Sequence, residues 1–157
     1  MATQVHFDAT FKVLPTVFYQ LCTLFAPFAD AAFPVVYALM SRKTQALYTG
    51  VFAKVQEFVP DFSPTSAMAD FEEASAAAFQ SVFGDVAISG CWFHFAQAVV
   101  KRVNKDASIN VAHVRDTVHC LVALPLLPPQ AILDAVVNGG ARVFAARGKR
   151  LCCRPCQ

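Results

Sequence analysis

The spacing of apolar residues changes once, near Lys43, and that change restricts the fold more than any other feature of the chain. Before it, apolar positions follow the two-residue period of strands. Val5 and Phe7 point one way while His6, Asp8 and Thr10 point the other, and Pro15 ends the run. Val17 to Phe25 and Phe33 to Met40 are two further stretches of strand type, separated by a loop with Pro27 and Asp30. Short connections between them predict an antiparallel meander. After Lys43, Leu47, Tyr48, Val51, Phe52, Val55, Phe58 and Val59 recur at the spacing of one helix face, with Ser41 placed to cap the start and Pro60 to end it.

From Pro60 on, short strands alternate with amphipathic helices. Ala67 to Asp70 reads as a strand, followed at once by a helix with Phe71, Ala74, Ala78, Phe79, Val82 and Phe83, which Gly84-Asp85 stops. Val86 to Cys91 is the fifth strand. A third helix begins near Phe93, with Phe95, Val99 and Val103 on one stripe and Lys101, Arg102 and Lys105 facing solvent. A meander followed by crossover helices is an α/β mixed sheet, three antiparallel strands plus two parallel to the first. Strand four beside strand one would bring Asp8 near Asp70. Beyond residue 106, Val111, Val114, Val118, Leu121 and Val122 form a helical stripe, and Pro128-Pro129 opens a last helix that Asn138-Gly139-Gly140 ends. The expected organisation is a core over 1–106, a helical extension over 107–145 and a basic, cysteine-rich, disordered tail over 146–157.

Because 56% of residues are apolar and only 15% charged, a membrane span has to be considered. Pro27, Asp30 and Pro34 interrupt one apolar window, and Pro125, Pro128, Pro129 and Asp134 interrupt the other, so neither offers ~20 unbroken apolar residues. With no basic region and apolar run at the N-terminus, the reading is an intracellular protein whose sheet is buried on both faces. Reduced thiols are then the default for the six cysteines, with Cys22 and Cys120 packing as small hydrophobes. Residues 1–90 carry four basic against eight acidic side chains, and residues 91–157 nine against three. A basic half beside an acidic one is compatible with a nucleic-acid partner.

Two carboxylates on neighbouring strands are what divalent ions need, which singles out Asp8 and Asp70. The surrounding residues, Asp8-Ala-Thr-Phe-Lys12, Phe33-Pro-Val-Val-Tyr-Ala-Leu-Met40, Met68-Ala-Asp-Phe-Glu72 and Gly90-Cys-Trp-Phe-His-Phe95, resemble the catalytic domain of Mutator-like element (MULE) transposases. Leu121 to Pro128 resembles that family's helical segment after the core. The resemblance implies a ribonuclease H-like fold and an Asp-Asp-Glu triad holding two Mg²⁺ or Mn²⁺ ions for strand cleavage and transfer at transposon ends in DNA. Asp8 would be its first acid and Asp70 its second. It also implies a nuclear location and allows a homo-oligomer.

The chain departs from that pattern in one respect: after Glu73 it has no glutamate. Of the later acids, Asp116 and Asp134 fall in the extension, so the third ligand is missing and the expected activity is little or none. The chain also reads as cut at both ends relative to full-length transposases. Glu72 and Glu73 are read as charges favourable to a helix N-terminus. The pair Cys91 and His94 belongs to the family motif and is read as packing close to the metal site, in preference to half of a zinc site whose other ligands would be His113, His119 or cysteines at poor spacing. Trp92 and Phe95 are read as core, His6 as a surface histidine near Asp8, and Lys101, Arg102 and Lys105 as a DNA contact. The alternative function is a domesticated module that binds DNA or protein without catalysis.

Overall fold

A computed structural model describes residues 4–11, 14–105 and 111–145, and the expected tail at 146–157 and the expected boundary at 106 lie outside the described residues. The first compact unit ends at Cys91. In it β1 (Gln4–Thr10), β2 (Gln20–Phe28), β3 (Ala31–Met40), β4 (Ser66–Ala69) and β5 (Ala87–Gly90) form one sheet in the order β3-β2-β1-β4-β5, with α1 (Gln45–Phe58) between β3 and β4 and α2 (Glu73–Phe83) between β4 and β5. β1 pairs antiparallel with β2, and β2 antiparallel with β3. β4 runs parallel to both β1 and β5. This is the ribonuclease H-like mixed sheet that the resemblance implies.

One face of the sheet builds the core. Val5 and Phe7 of β1, Cys22 and Leu24 of β2, Met40 of β3 and Ala67 and Ala69 of β4 are all buried there with Tyr48, Phe52 and Val55 of α1 and Ala78 and Phe79 of α2. Aromatic rings fill the middle. Phe7 lies 5.4 Å from Phe52 edge-on and 5.0 Å from Phe79 in a stack, and Phe52 meets Phe79 edge-on at 5.0 Å. Burying each such ring stabilises the fold by roughly 2–3 kcal/mol, and ring pairing adds about 1.

Several boundaries differ from the sequence reading. Val17 is an exposed turn residue, and β2 instead runs from Gln20 through Pro27 to Phe28, because Pro27 stays level with Ala32 in a tight hairpin turned by Ala29 at φ 51°. The cap of α1 is Thr44, whose Oγ1 accepts from the Leu47 N–H at 3.4 Å, and not Ser41. Of the α1 stripe, Leu47, Phe58 and Val59 are exposed, since the sheet is reached only by the middle of the helix. Nor is the sheet buried on both faces: Tyr37 and Leu39 of the edge strand β3 lie open on the face away from α1 and α2, and Phe33 and Val35, at and beyond the irregularity between Leu24 and Phe25, are exposed as well.

The second unit begins at Trp92. Here α3 (Trp92–Lys105) packs on α4 (Val111–Ala123), and a short 3-10 turn at Leu124–Leu126 leads to α5 (Pro129–Ala145). Phe95, Val99 and Val103 are half-buried on α3 while Lys101, Arg102 and Lys105 are exposed, as the periodicity requires. Trp92 is not core: it is 43% exposed, although its Nε1–H donates to the Val122 carbonyl at 2.8 Å and ties α3 to α4. Cys120 of α4 is likewise exposed. The helix α5 continues through Asn138-Gly139-Gly140 to Ala145, so two glycines in a helix interior lower its propensity here without ending it.

Candidate metal centre

Parallel pairing of β1 with β4 places the two acids. Gln4 is level with Ser66, Val5 with Ala67 and His6 with Met68, and the same register carried two residues further brings Asp8 level with Asp70. Neighbouring strands lie about 4.8 Å apart. Val5, Phe7, Ala67 and Ala69 fill the core, so the alternation sends His6, Asp8, Met68 and Asp70 to the opposite face. Asp70 follows directly on the end of β4, and the Cys91 N–H donates to the Ala69 carbonyl at 2.7 Å beside it. Cys91 is therefore held next to the second acid, while His94 sits in the first turn of α3.

Main-chain donors fix both carboxylates. Asp8 Oδ1 accepts from the Ala9 N–H at 2.9 Å, and Asp70 Oδ1 accepts from the Glu72 N–H at 3.1 Å. Both side chains are half-buried, a setting in which an oxygen pinned by an N–H keeps a defined direction. The acids bear jointly on a third group: burial pushes the Cys22 thiol up from 9.0 to about 12, with further contributions from the negative charges of Asp8, Asp70 and Glu72.

Glu72 is where the sequence reading falls short. Glu73 is indeed an acid in the first turn of α2, but Glu72 sends its carboxylate away from the helix end, to the core. The Tyr48 hydroxyl donates to Glu72 Oε2 at 3.1 Å and in turn accepts from Gln20 Nε2 at 2.7 Å, and that amide also approaches Met40 Sδ at 3.3 Å. Burial and the Glu72 charge raise the Tyr48 pKa against the opposing hydrogen bond from Gln20, so the phenol stays a proton donor. Gln20 is fully buried, and its Oε1 has no partner among the described residues, a deficit of about 1–3 kcal/mol. The available sequence signal was Gln20 itself, a polar residue within the apolar run Val17 to Phe25, which needs a partner if buried.

The donor atoms are all oxygen, which suits Mg²⁺ or Mn²⁺ and not zinc. Among the described residues no group of three or more His, Cys, Asp or Glu side chains closes on one point to hold a metal, so the donor set stops at the Asp8–Asp70 pair. Such a pair fits one hard ion whose other positions are taken by water or substrate oxygens.

Comparison with known proteins gives the decisive match: residues 4–98 fit the MULE transposase domain. The chain belongs to the MULE transposase domain family. Within the MULE match lie all five strands, α1, α2, Asp8, Asp70, Cys91 and His94, whereas Lys101, Arg102 and Lys105 fall outside it. Two solved structures of the HTLV-2 integrase catalytic core domain in complex with magnesium are also similar. The trimeric form is 17% identical and the dimeric form 14%, each at a TM-score of 0.39 over 85% of this chain and 81% of that one. No curated protein matches the chain. No described helix of this MULE domain is long and apolar enough to cross a membrane.

Proposed function

We propose that this MULE transposase domain uses Asp8 and Asp70 to hold one Mg²⁺ or Mn²⁺ ion against a phosphodiester of transposon-end DNA in the nucleus. The register of β1 with β4, paired through His6 and Met68, carries the reading, because its continuation puts Asp8 level with Asp70. When bound, the ion draws charge from a phosphate oxygen and acidifies a coordinated water. Asp8 and Asp70 orient it through carboxylates whose Oδ1 atoms are already directed by main-chain N–H groups. The exposed Lys101, Arg102 and Lys105 of α3 add salt-sensitive attraction for the DNA backbone.

Titration calorimetry with Mn²⁺ tests the site. Asp8→Asn and Asp70→Asn each abolish the heat of binding while leaving the thermal transition within a few degrees of the parent. Unchanged uptake in both variants overturns the reading.

A second reading is a binding module that grips DNA without cutting it, and the exposed Lys101, Arg102 and Lys105 of α3 favour it. Supercoiled plasmid incubated with the protein and Mn²⁺ is expected to show no nicking above the Asp8→Asn background. Nicking well above that background restores the full catalytic reading.

A further inference from the structure

A line of hydrogen bonds runs through the core to the second acid. It starts at Gln20 of β2, passes through the Tyr48 hydroxyl of α1 to the Glu72 carboxylate, and continues from the Glu72 N–H to Asp70 Oδ1, at 2.7, 3.1 and 3.1 Å. Its root is immobile: Gln20 and Tyr48 are buried, between β2 and α1. Its far end lies at the junction of β4 and α2. Asp70 lies just past the last pairing of β4, Phe71 beside it is 63% exposed, and the Glu72 carbonyl accepts from Ser75 Oγ at 2.8 Å and from the Ala76 N–H at 3.3 Å.

A core that only needed filling would place apolar side chains at positions 20 and 48. Instead it buries an amide and a phenol, leaving one amide oxygen unmatched, and both groups lead to the turn that carries Asp70. Buried polar chains of this kind fix one geometry at some expense of stability. We infer that Gln20, Tyr48 and Glu72 form a brace that positions Asp70, with Glu72 acting as a strut and not as an ion ligand. The inference rests on Asp8 and Asp70 being the ion-holding pair.

The brace makes a prediction that a simple loss of charge or of packing does not. Glu72→Gln keeps an acceptor for the Tyr48 hydroxyl, whereas Glu72→Ala and Tyr48→Phe break the line. In Mn²⁺ titrations of the full chain followed by electron paramagnetic resonance, Tyr48→Phe and Glu72→Ala are expected to weaken binding about tenfold or more, as loss of groups that orient metal ligands does, and Glu72→Gln by less than about threefold. Val55→Ala, which trims the same helix without touching the line, serves as the equally destabilised control and is expected to bind as the parent does. Parent-like affinity in Tyr48→Phe overturns the brace, as does a Glu72→Gln loss equal to that of Glu72→Ala, or a Val55→Ala loss equal to that of Tyr48→Phe. Asp70→Asn separates the two levels: if it binds Mn²⁺ normally, the underlying ion site is wrong, and if it alone fails to bind, only the brace is.

Discussion

Cys22 is buried in the core, level with Ala9 on β1, and feels the charge of both acids. Its thiol is shifted up from 9.0 to about 12, first by burial and then by Asp8, Asp70 and Glu72. The folded state therefore keeps a proton that the unfolded chain releases. This contribution to stability is complete below pH 9, declines as pH rises, and is gone above about 12; the raised Tyr48 phenol acts in the same direction. Urea titrations at pH 8, 9, 10 and 11 should show stability falling more steeply in the parent than in Cys22→Ala. Equal slopes would remove the claim. The sequence revealed that Cys22 packs inside, since it lies in an apolar run, and singled out Asp8 by alternation along its strand and Asp70 by its place at the end of the fourth. It did not reveal the path of the Glu72 side chain. Helix-end acids usually face solvent, and only the packing of α1 against the sheet brings Tyr48 within reach.

Among the elements, α1 shows how a local rule can select the wrong residue. Ser41 and Thr44 both have the hydroxyl that a helix start needs, and the spacing of apolar residues does not distinguish them. The distinction comes from β3, which stays paired as far as Met40, level with Gln20, so that the chain turns at residues 41–44 and the first helical N–H groups face Thr44. Thr44→Ala should lower stability by about 0.5–1 kcal/mol, at the weak end for a cap because the bond is long and exposed, while Ser41→Ala should be close to neutral. Paired thermal melts decide it. The element types were legible throughout the described residues because each apolar period is sustained. Ends were less legible, as α5 shows by continuing past Gly139 and Gly140 into Ala141 and Arg142, both good helix formers.

For the whole molecule, the order of the strands follows from short connections and crossover rules, and it was within reach of the sequence. The exposure of β3 was not, because a run such as Ala31 to Met40, with no charged residue, reads as a strand covered on both sides. In the structure it is an edge strand with Phe33, Val35, Tyr37 and Leu39 open to solvent, and edges of this kind recruit other chains. Tyr37→Lys should raise the concentration at which the protein starts to associate, judged by light scattering, with little change in melting temperature. An unaltered threshold would show that β3 is not the sticking point.

The parallel contact between β1 and β4 joins parts of the chain roughly sixty residues apart. During synthesis, Asp8 emerges into solution well before the strand that will carry Asp70 has been made. The first three strands can close as hairpins early, but the outer edge of β1 waits for a neighbour. Unfinished chains therefore carry Asp8 without its neighbouring strand, and the two acids come onto one sheet only as a late event of maturation.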